Sequence, residues 1–512
     1  MIVVGDSHSQ NQTGRVKSKS FSKSIVPARV GGRGRAVVGG VRWVDAAELG
    51  GLGARGEVTP RELAEGAIAR IGAANPILNA VATELPDVAR SAAVDPDLPR
   101  GVFRGVPFLF KDAGACLAGL PQYMGSGLMR SLGWRAPADT TLGARFRATG
   151  IVTLGKTTMP EFGCQPTTQP IAFGPCRNPW DTNRSAGGSS GGAAAAVAAG
   201  LVPVAHGSDI GGSIRLPAAW CGTVGLKPSR GRTSTHPIID PNLVEHVITR
   251  SVRDTAAFLD AVGGADTTDA YRLARPETPY ATTMSADPKG LRIGYVESVE
   301  AVGVTIAPEC VAAVQEAARL LEGLGHNVCP GLPPRLFDEE FATHHLRSAG
   351  RELSRMLDGI AAAIGRPLAP ADVESYTWSL ASVGVGLTEL EYSASQTWQR
   401  AYTAEVSAWW ANDFDLLLTP AAGEPPVLLD DLVPPAADPL AILPRFERIW
   451  CFAAPFSVTG QPAISLPIGQ TDDGLPVGIQ LVAALGREDL LIQVAHQLES
   501  EVSWGSRRPP FC

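Results

Sequence analysis

Asn183-Arg-Ser-Ala-Gly-Gly-Ser-Ser-Gly-Gly192 is followed, after one short apolar run, by Gly207-Ser-Asp-Ile-Gly-Gly-Ser-Ile-Arg-Leu-Pro-Ala-Ala219. Between residues 183 and 225, ten of the protein's 56 glycines and ten alanines leave 20 of 43 positions with minimal side chains. Glycine frees the backbone to turn tightly and leaves its N–H groups bare. Ile210, Gly211, Gly212 and Ser213 thus present consecutive donors on an open turn, which suits an oxyanion. Ser213 lies among them as a candidate nucleophile. Ser189 sits at a helix N-terminus, where further N–H groups point outward.

Working outward, Ala193–Ala199 reads as a helix and Val202–Ala205 as a strand. Toward the N-terminus, Thr59-Pro60-Arg61-Glu62 is a capping box with proline at the first helical position. Leu63, Ala67, Ile68 and Ile71 follow at helical spacing. Gly105–Phe110 reads as a short buried strand ending at Lys111, and Asp139 as the cap of a helix that stops at Gly150, before a strand at Ile151–Leu154. Toward the C-terminus come a strand at Leu291–Val296, an amphipathic helix at Pro308–Leu324 and a strand starting at His326. The alternation predicts an α/β fold, a sheet covered by helices on both faces. Residues 335–410 change character: they read as a helical cover bearing Trp378, Trp398, Trp409 and Trp410. Strand patterns return at Phe414–Leu418, Ala463–Leu466 and Val477–Val482. With no repeat and no linker after residue 40, one large domain spans 41–512.

The 512 residues are 45% hydrophobic and 19% charged, with a formal net charge of −7. That excludes a wholly disordered chain. Residues 1–40 carry Arg15, Lys17, Lys19, Lys23, Arg29, Arg33 and Arg35 against Asp6 alone, and read as a disordered basic leader. The remainder is then about −13, which argues against a nucleic-acid partner. Eight cysteines without CxxC spacing point to free thiols in a reducing compartment and to no zinc site. The N-terminus has no apolar signal core. Ala193–Ala205 is too short for a membrane span and contains Gly200 and Pro203. These features predict a cytoplasmic protein without a membrane partner, bound metal or cofactor.

A serine nucleophile needs a base. His206 is close in sequence to Ser213, but reads as a packed strand histidine; the other histidines carry no motif. Lys111 follows a buried strand, where desolvation would favour the neutral, basic form. From local sequence alone it is equally a solvated strand end or a partner of Asp112. Three motif matches lack their context. Gly187-Gly-Ser-Ser-Gly191 fits a nucleophile elbow but has no strand before it. Gly51-Leu-Gly-Ala-Arg-Gly56 fits a dinucleotide loop but does not follow a strand. Ser20-Phe-Ser-Lys23 lies in the leader.

The chain resembles the amidase signature family. The resemblance rests on Gly187–Gly192, Gly207–Arg215 and Cys221-Gly-Thr-Val-Gly-Leu-Lys-Pro228. It extends to Gly105–Asp112, Gly155-Lys-Thr-Thr-Met-Pro-Glu-Phe-Gly163, Asn178-Pro-Trp180, Gly460-Gln-Pro-Ala-Ile-Ser-Leu-Pro467 and Gly474–Gln480. It covers about residues 41–505 and implies a mixed twisted sheet. It further implies a Ser–cis-Ser–Lys triad: Ser213 the nucleophile, Ser189 the bridging serine after a cis Gly188–Ser189 peptide, Lys111 the base. The N–H groups of Ile210, Gly211, Gly212 and Ser213 would then form the oxyanion hole. Asp209 and Arg215 are expected to brace the turn, Ser185 and Ser190 to hydrogen-bond locally, and Lys156 and Lys227 to be structural. Lys111-Asp112-Ala113-Gly114 departs from many members after the aspartate.

The stretch Gln165–Gly174, followed by Arg177–Trp180, is similar to the branch of 6-aminohexanoate cyclic-dimer hydrolases, aryl acylamidases and urethanases. The resemblance implies a small-molecule amide or carbamate substrate, and by position Gly125, Ser126, Gly163 and Cys164 should border its pocket. The expected assembly is a monomer or homodimer. The alternatives are an amidotransferase-type glutaminase subunit, or a non-catalytic binding protein on the same scaffold.

Overall fold

The structure, a computed structural model, describes residues 41–238, 240–296, 305–412 and 414–511; the basic stretch 1–40 lies outside them. Eleven strands form one sheet among the described residues. They are β1 (Val81–Glu84), β2 (Pro107–Lys111), β3 (Val152–Thr157), β4 (Val204–Asp209), β5 (Val224–Lys227) and β6 (Val244–Thr249), then β7 (Arg292–Tyr295), β8 (Asn327–Pro330), β9 (Leu416–Pro420), β10 (Ala463–Gln470) and β11 (Pro476–Ala483). Their order is β1-β3-β2-β4-β6-β5-β10-β11-β9-β7-β8. β3, β2 and β4 run parallel, as do β9, β7 and β8, and the strands between are antiparallel. The sheet is therefore mixed, as the resemblance implied.

Every residue of β2, β3 and β4 is buried. Strands covered on both faces need apolar or small residues throughout, which accounts for runs such as Pro107-Phe-Leu-Phe. Phe108 pairs with Val204 and Leu109 with Ala205. The carboxyl ends of β2 and β4 thus lie side by side, at the edge where open α/β sheets place their ligands. Lys111 and Asp209 arrive there together.

Three helices matter to that edge. α1 (Pro60–Leu78) opens with the expected capping box: Glu62 N–H donates to Thr59 Oγ1 and Thr59 N–H to Glu62 Oε2. α2 (Gly191–Ala198) is buried along its whole length. A Cβ on Gly192 would stand 2.4 Å from the Ala80 carbonyl oxygen and 2.5 Å from the Thr158 nitrogen, so only glycine lets this helix approach the ends of β1 and β3 so closely. α3 (Arg215–Cys221) begins directly after the glycine turn.

The expected cover consists of α4 (Phe341–Ile364), α5 (Ser375–Gly386) and α6 (Glu389–Asn412). Leu353, Leu357, Ile360, Tyr376 and Leu380 from it share one core with Phe162, Leu216, Trp220 and Phe446 of the body. Each such buried side chain contributes about 1.5–3 kcal/mol, enough in sum to fix the cover in place.

One local reading changes. The helix after residue 139 is capped by Thr140, whose hydroxyl accepts from Gly143 N–H; Asp139 instead accepts from Ala118 N–H and Arg147. The strand β6, unread in the sequence, breaks its apolar run of Val244, Val247 and Ile248 with the buried Glu245 and His246. No described helix is long and apolar enough to cross a membrane. No group of metal-ligating side chains occurs among the described residues.

Candidate active site

Lys111 ends β2 with 1% of its surface exposed. Its Nζ lies 2.6 Å from Ser189 Oγ, 2.9 Å from Ser208 Oγ and 3.4 Å from the Ser208 carbonyl oxygen. Asp112 is no partner for it: that carboxyl accepts from Tyr123 and Gly125 N–H. Burial lowers the Lys111 pKa to about 7, against the pull of Asp209 and Glu245. The amine is thus neutral in a large fraction of molecules at physiological pH.

Ser189 follows a cis Gly188–Ser189 peptide. The residues around it are tied down by neighbours. Thr168 Oγ1 donates to the Gly187 carbonyl and accepts from Gly191 N–H. Thr167 and Ser185 hydroxyls meet at 2.9 Å. The Gln165–Gly174 stretch therefore cradles the serine segment from outside. Ser190 Oγ donates to the Ser208 carbonyl, and Ser190 N–H to the Ser213 carbonyl at 3.1 Å. That last bond holds the two candidate serine segments against each other.

The glycine turn hangs on Asp209. One carboxylate oxygen accepts from Gly212 N–H at 2.8 Å, the other from Ile214 N–H at 3.1 Å. Arg215 closes a fully buried two-pronged ion pair with it, and Ser457 Oγ adds a further donor. Burial alone would raise the Asp209 pKa; Arg215 and the backbone donors outweigh it and hold the group well below the usual carboxylate range. Arg215 is itself fixed by Gln480 on β11. Gly212 has φ +124°, a conformation that favours glycine.

This corrects the expected oxyanion set. The Gly212 N–H is already taken by Asp209. Ile210, Gly211 and Ser213 lie outside helix and strand, and among the described residues no acceptor takes their N–H groups. Ser213 is half-buried, and its Oγ hydrogen-bonds to no other described residue. The Lys111–Ser189 link is therefore formed and a Ser189–Ser213 link is not.

Of the expected pocket residues, Gly163 and Cys164 keep surface, and a Cβ on Gly163 would come within 3.4 Å of Ser189 Oγ. Gly125 and Ser126 are buried, and a Cβ on Gly125 would meet the Met159–Pro160 backbone. Burial and the nearby Glu161 and Glu374 push the Cys164 thiol up, which leaves it a poor nucleophile. His206 is a packed strand histidine: its Nδ1 accepts from Lys111 N–H, and its Nε2 faces Glu245 Oε2 at 2.8 Å. Lys156 and Lys227 are buried away from the serines, Lys227 donating to the Pro228 carbonyl. Ser208 was missed by sequence reasoning, although its place one residue before Asp209 on the strand beside Lys111 was a usable signal.

Residues 62–492 match the amidase family, and the chain belongs to that family of hydrolases acting on non-peptide C–N bonds. It is 41% identical to the 6-aminohexanoate-cyclic-dimer hydrolase of Pseudomonas sp. strain NK87, over 91% of this chain and 96% of that protein. It is 32% identical to an acylamidase of Rhodococcus erythropolis, over 92% and 98%. Among solved structures, a 6-aminohexanoate cyclic dimer hydrolase complexed with substrate superposes with a TM-score of 0.88 at 40% identity, covering 92% of this chain and 99% of that one. A bacterial aryl acylamidase superposes with a TM-score of 0.81 at 29% identity, covering 92% and 100%.

Proposed function

We propose that the chain hydrolyses small non-peptide amides through an acyl-enzyme on Ser213, with Ser189 as proton bridge and Lys111 as base. The observation that carries this is the 2.6 Å approach of a buried, easily deprotonated Lys111 to Ser189 Oγ. A neutral amine has two N–H donors and one lone pair. The two Ser208 oxygens take the donors, leaving the lone pair for the Ser189 hydroxyl. Ser189 passes its proton to Lys111 and takes one from Ser213. The open Ser189–Ser213 link agrees with catalytic hydrogen bonds that tighten only when substrate binds.

Ser213 Oγ then attacks the carbonyl carbon. The N–H groups of Ile210, Gly211 and Ser213 receive the developing negative charge, each worth about 3 kcal/mol by analogy with other hydrolases. The proton returns through Ser189 to the leaving amine, and water releases the acyl group by the reverse path. The half-buried Gly163 and Cys164 border the entry. The relatives' names point to nylon-oligomer-like and aryl amides, and the resemblance read in the sequence adds carbamates, taken up as single small molecules by a cytoplasmic monomer or homodimer that needs no metal or cofactor.

The test is Ser213→Ala with a panel of anilides, carbamates, short nylon oligomers and primary amides. Turnover of every substrate should vanish while the melting curve stays native. Retained turnover sinks the mechanism.

A further inference from the structure

Two adjacent histidines of α4 have opposite surroundings. His344 is satisfied: its Nδ1 meets Ser395 Oγ at 3.0 Å and its ring stacks on Trp398. His345 is half-buried, and neither of its ring nitrogens hydrogen-bonds to another described residue. With no protein partner on either ring nitrogen, the half-buried imidazole is open to a ligand.

Its position is specific. A Cβ built on Gly211 would have a single heavy atom within 4 Å, and that atom is His345 Nε2 at 3.8 Å. The imidazole is thus the nearest wall across from a turn whose free N–H groups await an oxyanion. The ring is held there by stacking on Phe341 (centroids 5.5 Å apart, 13° between planes) and by Trp450 edge-on at 6.0 Å. Burial pushes its pKa down to about 4, so at neutral pH the ring carries no charge and offers one donor and one acceptor. The two rings packed against it, Phe341 and Trp450, are apolar.

We infer that His345 is a substrate-binding residue that hydrogen-bonds a second polar group of the substrate, on the carbonyl-oxygen side of the scissile amide. The substrate class that fits is an amide with a second amide or carbamate group joined to the first by an apolar spacer. A neutral imidazole pairs with either an amide N–H or an amide C=O, while the apolar walls take the spacer. This deepens the proposed function and rests on Ser213 acting as nucleophile.

The experiment compares kcat/KM for a short nylon-type diamide and for a plain anilide of similar size. His345→Phe keeps the ring between Phe341 and Trp450 and removes both hydrogen-bonding nitrogens. The diamide-to-anilide ratio of kcat/KM should fall about tenfold, mainly through KM for the diamide. His345→Gln, which restores a donor and an acceptor, should recover most of the ratio. His345→Leu supplies the same readout should the phenylalanine variant melt early. An unchanged ratio in both His345→Phe and His345→Leu, or equal losses on both substrates, overturns the inference. Failure of the underlying mechanism reads differently: Ser213→Ala would still turn over the anilide.

Discussion

The segment 183–225 and the cover helices α4–α6 face each other across the candidate site and are built on opposite principles. The first keeps nearly half its positions to glycine and alanine, and much of its chemistry is carried by the backbone: a cis peptide, free N–H groups, a turn strung on Asp209. The second is rich in large side chains, such as Tyr376, Trp398 and Tyr402, and presents imidazole and aromatic rings. A backbone device works on any substrate that has the scissile carbonyl. A side-chain wall discriminates among the groups attached to it. On the proposed mechanism, bond cleavage and substrate choice reside in separate parts of this chain, and each can be altered alone.

After the complete loss expected of Ser213→Ala, the largest break should come from Lys111. Lys111→Met fills similar space without a base and should lower kcat by about 10³–10⁴-fold on every substrate alike. The wild-type pH profile sharpens the point. Only neutral Lys111 can accept a proton, and its pKa lies near 7. Activity should therefore rise tenfold per pH unit below that value and level off above it, as a kcat/KM profile from pH 5.5 to 9 would record. A profile flat across pH 7 would show that Lys111 is not the titrating base.

Next comes Arg215→Ala. It strands the Asp209 carboxylate, fully buried, without its counter-charge. Breaking one side of a buried pair costs about 3–5 kcal/mol, to be read as a lowered midpoint in urea unfolding. The turn that presents Gly211 and Ser213 loosens with it, so the surviving fraction should lose kcat for anilide and diamide equally. A change in selectivity instead would blur the division between the two regions.

How far these regions were legible in sequence follows the same division. The Thr59–Glu62 capping box is local, and every atom it needs lies within four residues. The glycine turn and the helix after it are short-range too, so Asp209 and Arg215 could be assigned as its brace. Lys111, Ser189 and Ser213 were legible through long motifs, not through periodicity. Thr140 was passed over for Asp139 because both can cap, and the choice depends on where Ala118 and Arg147 lie in space. β6 hid because its Glu245 is paired with His206 on the neighbouring strand, a contact no local pattern reveals. His345 was invisible, since its meaning depends on Gly211 in a distant segment.

The smallest effect concerns the clasp between the regions. Glu374, just before α5, donates its N–H to Glu161 Oε2 at 2.7 Å, and its own carboxyl accepts from Ile171 N–H at 2.7 Å. Burial first, then the Glu161 carboxyl beside it, raises the Glu374 pKa to about 7; burial raises Glu161 as well. The folded protein therefore holds this proton more tightly than the unfolded chain, whose glutamates titrate near 4.3. Between those values the native state binds more protons, so stability falls as pH rises from about 4.3 through 7. Glu374→Gln keeps an oxygen to accept from Ile171 but cannot ionise. It should melt like wild type at pH 5 and about 1–2 °C higher at pH 8. Because the clasp touches neither Ser189 nor Ser213, kcat for a plain anilide should move far less than it does in Lys111→Met. A variant less stable than wild type at pH 8 would mean that the charged carboxylate, not its oxygen alone, binds the cover to the body.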